Sequence, residues 1–122
     1  MSVAPGGQWI LYTVALDPTN SANDGLWVVK ADGSQRFKVE VIGGARWRDP
    51  THLLIIPLDP GAPSHRLWQF DAATGKAAPL TDPEATPFRV AQGDWSVSPD
   101  GRYVVFVNAD DQSLWLITLP PN

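Results

Sequence analysis

The residues best suited to proton transfer in this sequence are its two histidines, His52 and His65. A histidine that acts as a general base beside a nucleophile is usually oriented by a carboxylate and contacts a serine or cysteine. His52 lies in a turn before an apolar run, and His65 lies in a proline-rich loop. Neither has the serine, aspartate and glycine arrangement of a nucleophile elbow or triad. We therefore predict turn or surface histidines and a chain that is not an enzyme.

Other sequence motifs that carry chemistry are missing as well. The sequence contains no phosphate-cradling glycine loop, zinc-protease helix or calcium-binding helix-loop-helix pattern. Gly43-Gly44 indicates a turn, and Asp110-Asp111 falls in a polar loop without a partner for acid/base work. With 0 Cys, the sequence has no thiolate nucleophile, disulfide framework or cysteine metal site.

One loop is rich in oxygen atoms that could bind a hard cation. It reads Asp17-Pro18-Thr19-Asn20-Ser21-Ala22-Asn23-Asp24-Gly25. Calcium prefers six to eight oxygen ligands, but the same residue types also build ordinary hairpin loops. We interpret the segment as a hairpin loop and predict neither a metal nor a cofactor.

Composition and charge limit the classes of partner. The 122 residues are 43 % hydrophobic and 18 % charged, with 6 Trp, which is typical of a single folded domain with an aromatic core. The formal charge is -4, and Lys and Arg never cluster, so we predict no nucleic-acid partner. The apolar runs are far shorter than a membrane span requires, and we expect neither a span nor an export signal.

A repeated Leu-Trp pair organises the sequence. Leu26-Trp27, Leu67-Trp68 and Leu114-Trp115 are each followed by further apolar residues, at spacings of 41 and 47. A period of this length with turn residues between short apolar runs is typical of β-propeller blades. The segment from Val3 to Tyr12 also aligns without a gap with the segment from Val97 to Phe106. The middle copy is looser, and there Trp47 is predicted to take the place of Trp95.

Each copy predicts strands A to D joined by turns, with blades over residues 1–43, 44–91 and 92–122. The apolar B strands are placed at 9–16, 53–58 and 103–107, and the C strands at 26–30, 66–71 and 113–118. The A strands begin near residues 3, 45 and 94, and the D strands cover 36–41 and 76–81. Because the B strands are almost continuously apolar, both faces of their sheets should be covered. Frequent Pro and Gly argue against helices.

The third copy carries a family resemblance. Trp95-Ser96-Val97-Ser98-Pro99-Asp100-Gly101-Arg102-Tyr103, with Leu114-Trp115 after a polar loop, resembles the repeat of TolB-type, WD-like β-propellers. The resemblance implies an all-β fold of four-stranded antiparallel blades. It also implies a scaffold role, often in the bacterial envelope. Such propellers also gate the active sites of prolyl-oligopeptidase-like serine peptidases, and a fragment of such a gating domain is the alternative.

The predicted blades are too few to close a ring. Propellers usually hold four to eight blades, whereas this sequence predicts two full blades and a third that lacks its outer strand. The strand at residues 113–118 would then be a sheet edge that offers unpaired backbone groups. We therefore expect a homo-oligomer of two or three chains. The other explanation is a piece of a larger propeller whose remainder supplies the missing strand.

The ligand-binding candidates lie where the D-to-A and B-to-C loops should share one face of the ring. They are Arg46, Arg48, Glu84, Arg89, Asp94 and Trp95. We predict that this face binds a protein or peptide. The competing interpretation is structural, with the arginines stacked on Trp47 and Trp95 and paired with Asp49 or Asp94.

Overall fold

Short β-strands dominate the secondary structure of the chain. The computed structural model describes residues 1–15, 19, 21–57 and 62–121. Its strands are β1 Ser2–Val3, β2 Trp9–Val14, β3 Gly25–Lys30, β4 Arg36–Val39, β5 Gly43–Trp47, β6 His52–Pro57, β7 Trp68–Asp71, β8 Lys76–Pro79, β9 Val90–Val97, β10 Tyr103–Asn108 and β11 Leu114–Thr118. A 3-10 turn at Ser21–Asn23 is the helical element of the described residues. The all-β prediction is confirmed.

The strands form three antiparallel sheets in chain order. The first sheet is β1-β2-β3-β4, the second is β5-β6-β7-β8, and the third is β9-β10-β11. Neighbouring strands in every sheet are sequential hairpin partners, so the topology needs no crossover. Strand β11 is an edge of the third sheet. The predicted B-strand ends at Leu16 and Leu58 lie outside the described residues.

Aspartate-centred turns close the hairpins. In the turn between β9 and β10, the Asp100 carboxylate accepts hydrogen bonds from the Ser98 hydroxyl at 2.6 Å and the Arg102 amide at 3.1 Å. These hydrogen bonds lower the pKa of Asp100, and the bond from Ser98 has the largest effect. Gly101 follows with a φ of 71°, a backbone angle that glycine adopts without steric cost. The Pro-Asp-Gly signal thus makes the hairpin that the sequence predicts.

The second sheet lies between two cores. On β6, Leu53 and Ile55 belong to the core shared with the first sheet, whereas Leu54 and Ile56 belong to the core shared with the third. Successive side chains on a strand point to opposite faces, so an unbroken apolar run fills both cores. All four of these side chains are buried, as the continuous apolar pattern predicts.

The first and third sheets each cover a core with one face and expose the other. On β10, Val104 and Phe106 are buried against the second sheet. Val105 and Val107 alternate with them and pair with Leu116 and Leu114 of β11 on the outer face. Within the part of the chain that the structure describes, the three sheets therefore make two sheet-on-sheet contacts.

Strand pairing corrects the predicted alignment of the middle copy. Trp47 pairs with Leu53 at the position where Val97 pairs with Val104, and Trp95 pairs with Phe106. Trp47 therefore corresponds to Val97, and its predicted match to Trp95 is wrong. Trp47 is the last residue of β5, as Val97 is the last residue of β9, whereas Trp95 lies two residues before the end of β9. Trp47 packs against the first core, and its indole Nε1 donates to the carbonyl of Ser2 at 3.2 Å.

Candidate binding cavity between the second and third sheets

A cavity of about 380 Å³ opens where the second and third sheets meet at one end of their strands. We call it the loop-face cavity. Its walls come from the start of β5, the end of β6, the β6–β7 loop and β9 with the residue before it. The lining residues are Gly44, Ile56, Pro57, Ala62, His65, Arg89, Val90, Gln92, Gly93 and Trp95. The D-to-A and B-to-C connections predicted to share a face thus contribute jointly to one concave site.

Trp95 forms the inner wall of the cavity and lies against strand β5. Its side chain is buried, and the guanidinium carbon of Arg46 lies 5.0 Å from the ring centroid. A cation over an indole face is attracted by the ring quadrupole, so Arg46 restrains the ring. On the same strand as Arg46, a Cβ added to Gly44 would lie 3.4 Å from the Trp95 Nε1. The glycine therefore lets β5 run close to the indole.

His65 fastens the β6–β7 loop to the start of β9. Its backbone amide donates to the carbonyl of Phe88 at 2.7 Å, and its Nδ1 accepts the amide of Val90 at 3.2 Å. Because Nδ1 acts as an acceptor, the proton of the neutral imidazole resides on Nε2. The ring also meets Phe88 edge-on, with centroids 6.0 Å apart. This histidine, predicted as a turn residue, lines the cavity wall.

Strand β9 carries a backbone irregularity at the cavity. Gln92 and Gly93 have φ values of 52° and 70°, and the pairing register with β10 shifts between Phe106 and Asn108. A non-glycine residue at positive φ is uncommon, and bulges often lie beside binding sites, where they redirect side chains. The bulge allows β9 to begin at Val90 rather than near the predicted Asp94.

Arg89 stands between the loop-face cavity and a second cavity of about 280 Å³, and it lines both. Its guanidinium lies 3.4 Å from the Asp110 carboxylate, and its side chain is 45 % exposed. An exposed pair of this kind contributes little to stability, which leaves the cation available to a ligand. Phe88 and Trp115 add aromatic surface to the second cavity.

The structure places Arg48 away from the cavity. Its side chain is buried at the opposite end of the sheets, where Nε donates to the Gly101 carbonyl and one Nη to the Gln69 Oε1, both at 2.8 Å. The other Nη donates to the carbonyl of Pro120. Burial lowers the pKa of Arg48, and the nearby Asp49 carboxylate opposes that shift. Its surroundings are those of a group that joins the second and third sheets.

The remaining candidates divide in the same way. Glu84 is exposed in the β8–β9 connection, and Asp94 is exposed on β9, and neither lines the loop-face cavity. Of the six predicted residues, Arg89 and Trp95 line it and Arg46 supports it through Trp95. His65, Gln92 and Gly44 were missed. Gly43 and Gly44 begin strand β5, whereas the sequence predicted a turn at this pair. Because glycine has no side chain, atoms of Ile56 and Trp95 can lie close to their backbone.

His52 is bound within its own turn. Its Nδ1 lies 2.9 Å from the Asp49 carboxylate and 3.1 Å from the Thr51 hydroxyl, and its Nε2 lies 3.9 Å from the Asp71 carboxylate. Burial raises the pKa of Asp49, but hydrogen bonds from Thr51 and His52 outweigh it, so the pKa lies below the usual value.

The possible cation loop is described only in part. Asp17, Pro18 and Asn20 lie outside the described residues. Within the ranges that the structure describes, no cluster of three His, Cys, Asp or Glu side chains has a metal-binding arrangement. In the same ranges, no helix has the length and apolar character needed to cross a membrane.

Comparison with known proteins adds one similar structure. No family model and no curated protein matches the chain. The chain is similar to oligogalacturonate lyase in complex with manganese, at 18 % identity and a TM-score of 0.45. The match covers 93 % of this chain and 46 % of the lyase, so the chain spans less than half the length of that protein. Its own stacked antiparallel sheets identify the chain as all-β and propeller-like.

Proposed function

We propose that the chain is a non-enzymatic propeller module that binds a protein or peptide at the loop-face cavity and associates with copies of itself. One observation carries the proposal of binding. The cavity joins an indole wall, apolar side chains and a few polar groups at the seam between two sheets. Ligand sites are typically concave and mostly apolar, with a small number of placed polar groups.

The cavity lining favours a peptide segment over a small charged metabolite. Ile56, Pro57 and Val90 provide apolar contact area beside Trp95, while Arg89 supplies one accessible cation. Trp and Arg are the side chains that most often dominate protein interfaces. An apolar or aromatic side chain in the cavity, with a neighbouring carboxylate on Arg89, would use both features.

The non-enzymatic part of the proposal rests on the surroundings of the two histidines. His52 is enclosed by Asp49, Asp71 and Thr51 in a hairpin turn. His65 uses Nδ1 to accept a backbone amide. The His52 imidazole thus contacts side chains of its own hairpin, and the His65 imidazole holds the backbone of Val90, which are structural tasks.

Self-association is supported by the outer face of the third sheet. Leu114 and Leu116 are 75 % and 55 % exposed, and they lie on the edge strand β11. Exposed apolar groups on an unpaired edge form a surface that favours contact with another chain. A homo-oligomer of two or three chains would cover it.

Selection from a random peptide library displayed on phage tests the binding site. We expect selected peptides to bind the wild-type chain and to lose at least tenfold in affinity for Arg89→Glu, measured by fluorescence polarisation. Arg102→Glu is the matched control, because Arg102 is exposed in the β9–β10 turn, away from the cavity. Peptides that bind Arg89→Glu as tightly as wild type would contradict the proposed site.

A further inference from the structure

The outer faces of the two terminal sheets have different side chains. Strand pairing aligns Val3 with Ile10 and Tyr12 with Trp27 on the outer face of the first sheet. We call this surface the first-sheet outer face. The third-sheet outer face carries Tyr103, Val105, Val107, Leu114 and Leu116. Both surfaces carry apolar side chains, and on the first-sheet outer face Arg36 and Lys38 of β4 lie beside Trp27, with the Arg36 guanidinium 4.2 Å from its ring centroid. Among the described residues of this chain, none packs a further sheet on either surface.

The internal repeat shows what the third-sheet outer face should contact. Leu26, Leu67 and Leu114 each precede the tryptophan of their repeat, so they occupy equivalent positions. Leu26 and Leu67 are 7 % and 0 % exposed because each packs toward the following sheet. Leu114, with no following sheet, is 75 % exposed. The leucine at this repeat position is therefore buried in the first and second sheets and exposed in the third.

The first-sheet outer face shows the complementary relationship. Ile10 is equivalent to Leu53 and Val104, which are both 0 % exposed because they pack toward the preceding sheet. Val3 pairs with Ile10 as Val97 pairs with Val104, and Val97 packs against the second core. Val3 itself is 57 % exposed. This surface therefore has residues that, at equivalent positions in the second and third sheets, pack against the preceding sheet.

We infer that the third-sheet outer face of one copy packs on the first-sheet outer face of a second copy, continuing the stack across the chain boundary. This inference rests on the proposed self-association and names its two surfaces. The contact repeats a pairing that the chain makes twice internally, between the first and second sheets and between the second and third. A contact between two third-sheet outer faces would have no such precedent in the structure.

The geometry of this contact also limits the number of copies. It is heterologous, since two different surfaces meet, and such contacts close into rings when the rotation per unit allows. Three sheets per chain give six sheets for two copies, which lies within the four to eight blades that propellers usually hold. Three copies would exceed that range. We therefore assign a closed pair.

Single substitutions on each face, studied alone and mixed, test the contact. Val3→Asp and Leu114→Asp place a carboxylate on the two exposed positions, and circular dichroism checks that both variants fold. Each alone should sediment as a monomer, with an association constant lower on the order of 100-fold, because burying an unpaired charge is unfavourable. An equimolar mixture should form a one-to-one pair, since one intact face from each variant remains.

Ile42→Asp is the matched control. Ile42 is 58 % exposed in the β4–β5 connection and belongs to neither face, so this variant should associate like the wild type. Val29 pairs with Ile10 and so lies on the first-sheet outer face. Leu116→Asp and Val29→Asp therefore repeat the test with a second substitution on each face, should either first variant fail to fold.

The outcomes separate this inference from the proposed self-association. A wild-type chain that sediments as a monomer contradicts both. A wild-type oligomer that persists in Val3→Asp, or two monomeric variants that do not pair when mixed, overturns the contact while self-association stands. Polydisperse aggregates in place of a defined species would also overturn it.

Discussion

The Nε of Arg48, on the strand-to-turn boundary of the second sheet, donates to the carbonyl oxygen of Gly101 in the third sheet at 2.8 Å. The backbones of the two residues also lie close together, because a Cβ on Gly101 would lie 2.9 Å from the Arg48 carbonyl oxygen. One buried guanidinium thus fixes the distance between two sheets at one end, while the loop-face cavity opens at the other.

Replacing Arg48 with Ala should destabilise the chain by about 2 to 4 kcal/mol, because carbonyl and amide oxygens in the seam lose their donors. Urea unfolding followed by tryptophan fluorescence measures the change. Arg102→Ala removes an exposed arginine from the adjacent turn and should change stability by less than about 0.5 kcal/mol. Equal effects of the two substitutions would show that the seam contact has no special role.

The two glycines that begin β5 should respond unequally to alanine. A Cβ on Gly43 would lie 2.0 Å from the Ile56 carbonyl oxygen, a backbone atom that cannot move without breaking the sheet. On Gly44 the nearest atom is the Trp95 Nε1 at 3.4 Å, which is almost ordinary contact. Thermal unfolding should show a loss of about 3 kcal/mol or more for Gly43→Ala and less than about 1 kcal/mol for Gly44→Ala. The reverse order would contradict the strand packing.

The Asp49 turn should lose stability in acid. The pKa of Asp49 is lowered from 3.8, so its contribution is complete above that value and disappears as the pH falls through the pKa of the folded state. Asp49→Asn should therefore cost roughly 0.5 to 1 kcal/mol at neutral pH, and this cost should shrink progressively as the pH falls below 3.8. Asp94→Asn removes the same charge from an exposed position and serves as the control. A constant Asp49→Asn deficit across this range would exclude the charge as its cause.

The stacking of Arg46 on Trp95 should be a modest but measurable support of the cavity. Arg46→Ala should lower the free energy of unfolding by roughly 0.5 to 1 kcal/mol, the usual contribution of an exposed cation–π pair. It should also change the chemical shift of the Trp95 indole proton in NMR spectra. An unchanged indole signal would mean that the guanidinium does not rest on the ring.

The strand pattern was accessible from the sequence because it depends on local signals. The Leu-Trp pairs, the Pro-Asp-Gly turn and the unbroken apolar run before Pro57 each predict a strand or hairpin from neighbouring residues alone. The middle copy was misaligned because Trp47 has the same residue type as Trp95, whereas strand pairing puts Trp47, at the end of β5, in the position of Val97 at the end of β9. Residue type indicated one alignment and strand register another.

The cavity was less accessible because its residues meet only through tertiary packing. Gly44 and Trp95 are far apart in sequence and are brought together by the contact of two sheets. Arg46 and Arg48 look alike in sequence, and both contact residues of the third sheet. Arg46 on β5 stacks on the Trp95 indole, whereas Arg48, one residue past the end of β5, enters the seam at the Gly101 turn. His65 carries no local motif, since its role depends on the backbone of Val90.

Two copies that complete one stack of sheets would double the molar mass of the chain in solution. Light scattering on the purified chain at micromolar concentration measures its molar mass directly. We predict a single species of about twice the chain mass of 13.3 kDa. A stable monomer would contradict the claim.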